Sequence, residues 1–349
     1  MNISEIDKNF TIETSITREG LTFYNIEDEP FTIHGIKMID GQYRRMPREV
    51  AEKVSPGVLS LHTRTSGGRV RFFTDSPYIA IHALIDQPAK MSHMAFIGST
   101  GFDLFADKKY IGSYRPPIDI VDVLDSVVDI APCNQGKQYT INFPLYSGVK
   151  HLYVGIKEGS RLEKAADYTV TTPVVFYGSS ITQGGCASRP GNLYQNILSR
   201  KLDFDYINLG FSGNARAEDA IAEYISELEM SAFVYDYDHN APSPEYLLET
   251  HEKMFLRIRE KNPLLPILML SRPRYYLNEQ DQQRLEVVRR TYENALKAGD
   301  KNVYFVPGPD MVPEIIRETS LVDGTHPNDS GFVGMAYAIE PVLKKMLCL

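Results

Sequence analysis

Two patterns of hydrophobic and polar residues follow one another along the 349-residue chain. Up to about residue 170, short segments alternate apolar and polar positions and are separated by turn signals, as half-buried β-strands are. The segments that we expect to be strands are 57–65, 69–74, 78–85, 102–105, 110–112, 138–143 and 150–156. Because none of them shows a helical period, this part predicts an all-β domain of the sandwich or jelly-roll type.

From about residue 173, apolar runs without a polar face alternate with helical patterns. The apolar runs predict buried parallel strands at 174–177, 206–209, 233–237, 267–270 and 303–306. The helical patterns lie at 192–202, 217–228, 244–261, 279–298 and 331–347. Five strands alternating with helices predict an α/β domain, a parallel sheet with helices on both faces. With a polar linker near 159–172, we expect two domains, 1–170 and 171–349.

Composition narrows the possible partners and the location. The formal net charge of -8 disfavours nucleic acid as a partner, because phosphates need a basic face. The apolar runs are far shorter than the ~20 residues of a membrane span, so no membrane partner is expected. Residues 1–8 lack the basic and apolar regions of a signal peptide. We therefore expect a cytoplasmic protein, unless a leader has been removed.

The cysteines leave one question open. Cys133, Cys186 and Cys348 are too few and too widely spaced for a disulfide framework or a zinc pattern. Cys186 lies close after Ser180 and is either a second nucleophile or a small buried loop residue.

Polar residues gather where the strands of the second domain end. Four stretches do so, at 178–182, 208–214, 236–241 and 323–328. Because parallel strands share one direction, all four should open on the carboxyl edge of the sheet, where open α/β folds bind ligands. Ester cleavage requires a nucleophile, a base, a group that orients the base and donors for the oxyanion.

These stretches resemble the sequence blocks of the SGNH/GDSL hydrolases, a family of esterases, lipases and some acyltransferases on a flavodoxin-like sheet. The resemblance implies Ser180 as nucleophile, His326 as base and Asp323 as the carboxylate that orients it. It also implies an oxyanion hole formed by the N–H groups of Ser180 and Gly213 and the side-chain amide of Asn240.

Two positions depart from the family pattern. Ser179 stands where relatives carry the aspartate of Gly-Asp-Ser, so its local hydrogen bonds must differ. Asn240 is preceded by His239 and followed by Ala241, whereas the family block usually reads Gly-x-Asn-Asp.

Other interpretations of the same residues remain open. Asn240 is also a suitable cap for a helix at Pro244, and Gly213 is also a suitable turn glycine. His326 could be a surface loop residue. Carboxylates and imidazole in 236–239 could hold a divalent cation, although no further ligand cluster accompanies them and we expect no metal.

The N-terminal half adds to the resemblance. Residues 91–94, 101–105 and 143–149 resemble the β-rich domain that precedes one subgroup of these hydrolases. That domain carries a Gly-x-Asp-Leu-Tyr motif, which ends here in Phe105. We expect His93 and Asp103 to stabilise this domain and not to contact substrate.

The resemblance therefore implies a serine esterase that removes short acyl groups, acetyl above all, from carbohydrates without a cofactor. The substrate would be a small-molecule or oligosaccharide ester, and a homodimer is compatible with two such domains. The loop residues that we expect to contact it are Arg189, Asn214, Arg272 and Tyr275. Two alternatives remain, namely an acyltransferase that uses a small-molecule alcohol and an inert carbohydrate-binding or scaffolding protein.

Overall fold

The chain forms two compact units. The computed structural model describes residues 12–131 and 135–349, so Cys133 and the start at 1–8 lie outside the described residues. The first unit contains the described residues up to Arg45 together with Thr63–Asp167 and Ser188–Gly191. The second unit contains Met46–His62, Tyr168–Ala187 and Asn192–Leu349.

The first unit is built from antiparallel sheets. Its strands β1–β12 are Leu21–Asn25, Thr32–His34, Lys37–Ile39, Gln42–Arg44, Arg69–Thr74, Tyr78–Asp86, Phe102–Ala106, Lys109–Tyr114, Val123–Asp129, Lys137–Asn142, Gly148–Lys157 and Leu162–Glu163. One sheet has the order β1-β11-β6-β9, and the other has the order β12-β5-β10-β7-β8 with β2 also paired to β5. The strands β3 and β4 form a separate hairpin.

Both sheets contribute to one hydrophobic core. Val70 and Phe72 of β5 and Ile79 and Ile81 of β6 are fully buried in it. Because alternate residues of a strand point to opposite faces, each sheet turns one apolar row toward this core. The antiparallel sheets predicted for the N-terminal part of the chain are confirmed, as is the hairpin of β7 and β8.

The helices, α1–α9 in chain order, are Arg48–Val54, Pro56–Leu61, Phe96–Thr100, Ser180–Gln183, Tyr194–Leu202, Asp219–Ser226, Pro244–Lys261, Glu279–Lys297 and Asp329–Met346. Short 3₁₀ turns lie at Pro190–Asn192, Gly308–Met311 and Glu314–Ile316. Among the residues described, none of the helices combines the length and the apolar character that crossing a membrane requires.

The predicted strand at 57–65 is wrong, because this segment begins with a helix, α2. Ser55 caps that helix by accepting a hydrogen bond from the backbone N–H of Val58 (3.2 Å). Pro56 occupies the first helical position, where its missing N–H removes no helical bond. Val58 lies in the core of the second unit, together with Val54 of α1. The Ser-Pro start signal therefore outweighs the short apolar–polar alternation that follows it.

The second unit is a five-stranded parallel sheet. Its strands β13–β17 are Val170–Gly178, Phe204–Gly210, Ala232–Asp236, Ile267–Leu270 and Val303–Val306. Their order is β14-β13-β15-β16-β17, the flavodoxin-like arrangement, so the predicted α/β fold class is confirmed. The helices pack in two groups, α5 with α9 and α1 with α6, α7 and α8. Residues 174–177 of β13 are buried, as a central parallel strand requires.

Candidate active site

The first feature of the site is the sharp turn from β13 into α4. Ser179 caps α4, and its hydroxyl accepts a hydrogen bond from the N–H of Ile181 (3.1 Å). At Gly178, a Cβ would lie 2.2 Å from Thr182 Oγ1 and 2.5 Å from the carbonyl oxygen of Asp236, so only glycine fits. Ser180 is therefore presented as the first residue of a helix at the carboxyl end of a central strand.

Three side chains form a continuous hydrogen-bonded chain at this turn. Ser180 Oγ lies 2.9 Å from His326 Nε2. His326 Nδ1 lies 2.8 Å from Asp323 Oδ2. Because Nδ1–H donates to the carboxylate, the lone pair of Nε2 faces the serine hydroxyl. The structure thus brings together the three residues that the family resemblance implies as nucleophile, base and orienting carboxylate.

The carboxylate of Asp323 is held ionised by its hydrogen bonds. Burial alone would raise the pKa of Asp323, but backbone and side-chain hydrogen bonds from His326 and the backbone N–H of Thr325 lower that pKa to about 2. The two backbone groups donate to Oδ1 at 2.8 and 3.0 Å. Asp323 is therefore a stable negative charge next to the imidazole.

The start of helix α9 shapes the segment that carries His326. Asn328 caps this helix, and its Oδ1 accepts from the N–H groups of Ser330 (3.0 Å) and Gly331 (3.2 Å). The N–H of Val322 donates to the carbonyl of His326 at 2.9 Å. His326 thus sits on a closed loop immediately before a capped helix.

The loops of the two strands that neighbour β13 carry the other candidates. Gly213 has a φ of +69° in a turn that the N–H of Asn214 closes on the carbonyl of Phe211 (2.8 Å). Asn240 Oδ1 accepts from the N–H of Ala215 at 3.4 Å, which directs the Nδ2 group the opposite way. These loops follow β14 and β15, which are both hydrogen-bonded to β13.

A buried polar layer lies beneath the turn, and the sequence patterns did not predict it. Thr182 Oγ1 donates to Asp236 Oδ1 (2.9 Å), and its carbonyl accepts from Asn208 Nδ2 (2.7 Å) and Gln195 Nε2 (3.0 Å). Burial, reinforced by nearby Asp238, raises the pKa of Asp236 to about 8. The available signal was a polar residue, Asn208, inside the otherwise apolar run of β14.

The acidic stretch at 236–239 divides between two hydrogen-bond networks. Asp236 bonds to Thr182, whereas Asp238 Oδ1 pairs with His239 Nδ1 (3.1 Å) and its Oδ2 accepts from the N–H of Arg272 (3.0 Å). Burial opposes ionisation of Asp238, but the hydrogen bonds from His239 and Arg272 lower its pKa. The two carboxyl groups therefore have separate partners and opposite pKa shifts.

Two of the expected substrate contacts lie on the carboxyl side of β16. The Arg272 side chain is mostly buried and donates to Asp281 and to the loop at 323–326. Tyr275 is 37% exposed, and the guanidinium of Arg317 lies 3.6 Å from the centre of its ring. Tyr275 thus presents an aromatic surface, while both terminal nitrogens of Arg272 donate to protein groups.

The other two expected contacts are engaged within their own units. Asn214 Nδ2 donates to the carbonyl of Ser212 at 2.7 Å, which stiffens the turn around Gly213. Arg189 belongs to the first unit, where it donates to Asp103 (2.9 Å) and lies over the ring of Tyr110. Asp103 is fully buried and also accepts from Asn142 Nδ2 at 2.7 Å.

The surroundings of Cys186 disfavour an activated thiol. The residue is buried and has a φ of +74°. Burial, and then the negative charge of Asp323, raise the pKa of Cys186 to about 11, so the thiol stays protonated near neutral pH. Burial and a protonated thiol favour the interpretation of Cys186 as a small buried loop residue over that of a second nucleophile.

Comparison with known families accounts for both units. A model of the GDSL-like lipase/acylhydrolase family matches residues 171–344. A model of the N-terminal domain of SGNH-type esterases, the GxDLY domain, matches residues 21–162. A search of curated proteins found no match.

Solved structures share the fold along most of their length. A GDSL-like lipase from Bacteroides ovatus ATCC 8483 is 27% identical with a TM-score of 0.84, covering 94% of this chain and 98% of its own. The salicylyl-acyltransferase SsfX3 of a tetracycline biosynthetic pathway is 22% identical with a TM-score of 0.77, covering 95% and 98%. An acetyl xylan esterase, Est2A, from the rumen bacterium Butyrivibrio proteoclasticus is 13% identical with a TM-score of 0.60, covering 94% and 99%.

Proposed function

Since the chain belongs to the GDSL-like lipase/acylhydrolase family and carries the GxDLY domain of SGNH-type esterases, we propose that it is a serine esterase. Its substrates are short acyl esters, acetyl above all, on carbohydrates. The observation that carries the proposal is the hydrogen-bonded chain from Ser180 through His326 to Asp323. An acyl transfer reaction needs this arrangement, and a binding protein does not.

In the first step, Ser180 Oγ attacks the ester carbonyl while His326 Nε2 takes the hydroxyl proton. Asp323 holds the imidazole in the required tautomer and stabilises its charged form. His326 then gives the proton to the departing alcohol, which leaves an acyl group on Ser180. Water, activated by the same imidazole, hydrolyses this acyl-enzyme and restores the serine.

Three donors would stabilise the oxyanion. The first N–H groups of a helix point outward beyond its end, and Ser180 opens α4. The N–H of Gly213 and the side-chain amide of Asn240 lie on the loops of the two neighbouring strands. Removal of one such donor typically costs about 3–4 kcal/mol of transition-state stabilisation.

The polar and aromatic rim at the carboxyl edge supports a hydroxylated leaving group. Tyr275 and Tyr276 are 37% and 62% exposed, and their rings meet edge to face. Aromatic faces with neighbouring polar groups suit a sugar ring better than a lipid chain. The acetyl group itself is an expectation from the family resemblance.

Acyl transfer to a small-molecule alcohol is the second candidate, because the same acyl-enzyme can be resolved by either acceptor. The fold is shared with an acetyl xylan esterase and with a salicylyl-acyltransferase, so the fold does not distinguish hydrolysis from acyl transfer. Measurement of the partition between acid and new ester, with an alcohol acceptor present, separates the two activities.

The test begins with p-nitrophenyl acetate, butyrate and octanoate, followed by acetate release from acetylated xylo- and manno-oligosaccharides. We expect the acetyl ester to be preferred, and Ser180→Ala to abolish turnover while the protein stays folded. Undiminished hydrolysis by Ser180→Ala would overturn the proposal. Labelling of wild type by a fluorophosphonate, lost in Ser180→Ala, excludes the inert scaffold.

A further inference from the structure

Arg272 connects two of the loops that surround the proposed nucleophile. Its Nη2 donates to Thr325 Oγ1 at 2.9 Å and to the carbonyl of Gly324 at 3.3 Å, inside the loop that carries Asp323 and His326. Its backbone N–H donates to Asp238 Oδ2 at 3.0 Å, at the start of the loop that carries Asn240. Both contacts come from one residue at the carboxyl end of β16.

The guanidinium of Arg272 is anchored on its other side by a rigid group. Its Nη1 donates to Asp281 Oδ1 at 3.2 Å. Asp281 belongs to the capping box of α8, in which it accepts from the N–H of Asn278 (3.2 Å) and donates its own N–H to Asn278 Oδ1 (2.8 Å). Its side chain is only 6% exposed, so Arg272 bridges a fixed helix start to the histidine loop.

The position of Arg272 in the backbone is equally constrained. Its carbonyl oxygen passes so close to Gly308 that a Cβ there would lie 1.7 Å from it. The second loop is clamped as well, because Arg284 of α8 donates to the carbonyls of Asp238 and Ala241. The loop of Asn240 is therefore held by the backbone N–H of Arg272 and the guanidinium of Arg284, and the loop of His326 by the guanidinium of Arg272.

The tip of the loop that Arg272 holds, at 322–324, is exposed to solvent. The Asp323 side chain is 38% exposed, and Gly324 has a φ of +75° with nothing within 4 Å of the Cβ position. Exposed loops of this kind open locally at low cost unless side chains tie them down. The hydrogen bond from Arg272 to Thr325, backed by the ion pair of Arg272 with Asp281, limits how far His326 can move from Ser180.

We infer that Arg272 is a positioning residue, which holds the loop of His326 in the geometry needed for proton transfer and does not contact substrate. The effect of Arg272 on catalysis rests on the proposed function. Its effect on the mobility of the His326 loop rests on the hydrogen bonds alone. Arg272, which the sequence suggested as a substrate contact, is thus assigned a positioning role instead.

Substitution by methionine separates the two roles. With p-nitrophenyl acetate, a substrate too small to report on sugar contacts, Arg272→Met should lower kcat about 10- to 100-fold with KM nearly unchanged. Arg274→Met is the matched control, because Arg274 also pairs with Asp281, at Oδ2 and 3.1 Å, and belongs to the same segment. It should retain a kcat close to that of wild type.

A double-mutant cycle tests whether Arg272 acts through Thr325. Thr325→Val removes the acceptor hydroxyl, and its loss of kcat should not multiply with that of Arg272→Met. Independent, fully multiplicative effects would overturn the inference, as would a raised KM with unchanged kcat in Arg272→Met.

Hydrogen exchange supplies a readout that needs no activity. A peptide spanning 319–328 contains the N–H groups of Thr325 and His326, which bond to Asp323. Arg272→Met should speed exchange in this peptide, and Arg274→Met should not. Unchanged exchange in Arg272→Met overturns the inference. Absence of Ser180-dependent turnover in wild type would instead reject the proposed function, and the exchange result would still decide the role of Arg272.

Discussion

Gly57 lies directly against Asn214, so closely that a Cβ at position 57 would come within 1.8 Å of Asn214 Oδ1. The amide of Asn214 in turn holds the carbonyl of Ser212 at 2.7 Å, in the turn that presents Gly213. Helix α2, far away in sequence, is therefore a direct support of one loop of the proposed oxyanion hole.

Gly57→Ala should reduce activity more than stability. Alanine favours a helix over glycine by about 1 kcal/mol, which offsets part of the clash with Asn214. The displaced amide loses its bond to Ser212, and the turn that carries Gly213 loosens. We expect kcat to fall about tenfold, with a small change in the urea midpoint, because catalytic donors tolerate little misplacement. Ser60→Ala on an exposed position of the same helix is the control, and equal losses in both variants would contradict the explanation.

Asn240→Ala should lower kcat about 10²- to 10³-fold, as loss of one oxyanion donor does. Steady-state kinetics with p-nitrophenyl acetate and thermal unfolding would be measured together. KM and the unfolding temperature should change little, because the amide makes one long hydrogen bond to Ala215 (3.4 Å). A near-normal rate would show that another group completes the oxyanion hole. The alternative role of Asn240 as a helix cap is wrong, because Ser243 caps α7 by accepting a hydrogen bond from the N–H of Tyr246 (3.2 Å).

Asp323→Asn should reduce kcat by about 10³- to 10⁴-fold, because an amide cannot stabilise the imidazolium and favours the wrong tautomer. The carboxyl pKa of about 2 means that the wild-type residue remains charged at every pH used for assay, so an acid limb of the rate profile does not report Asp323. Asp310→Asn, at an exposed position, makes the same change of charge and should have no effect. Comparable losses in both variants would reduce the role of Asp323 to net charge.

Asp236→Asn should change how stability depends on pH. The pKa of Asp236 is raised from 3.8 to about 8, so the folded protein keeps a proton that the unfolded chain releases. This contribution to stability is fully present below pH 3.8 and is lost as the pH rises toward 8, by about 1.4 kcal/mol per pH unit. The amide keeps an acceptor for Thr182 and does not titrate.

The measurement is urea unfolding of wild type and Asp236→Asn at pH 5 and pH 8. Stability of the variant relative to wild type should rise between the two values, by about 4 kcal/mol if the whole shift is expressed. Parallel pH profiles of the two proteins would show that Asp236 is ionised in the folded state.

Much of the second unit can be predicted from its sequence because its signals are local. The apolar run at 174–177 marks a strand buried on both faces, and Asp323 is bonded to His326 within a single short loop. Prediction fails where a residue acts through distant partners. Nothing near Arg272 in the chain shows that Thr325 and Asp281 will lie beside it.

The same reason explains the error at 57–65 and the buried layer that was missed. The alternation of Leu59 and Leu61 with polar neighbours is too short to distinguish a strand from a helix, and only the start signal at Ser55 and Pro56 decides it. Thr182 receives bonds from Asn208 and Gln195, which reach it only after β14 and α5 have packed. In the sequence, tertiary contacts of this kind are marked at most by an isolated polar residue within an apolar run.

The assignment of residues 46–62 to the unit of the parallel sheet has a consequence for the order of events during synthesis. These residues leave the ribosome before Thr63–Asp167 does. At that time the strands that they pack against have not yet been synthesised. Their apolar residues, Met46, Ala51, Val54 and Val58, therefore have no native partner until Tyr168 and the chain beyond it have emerged. Closing this long loop is a slow, non-local step. We expect the second unit to gain full stability late, and a nascent chain stalled before that point to expose these two helices to chaperones and proteases.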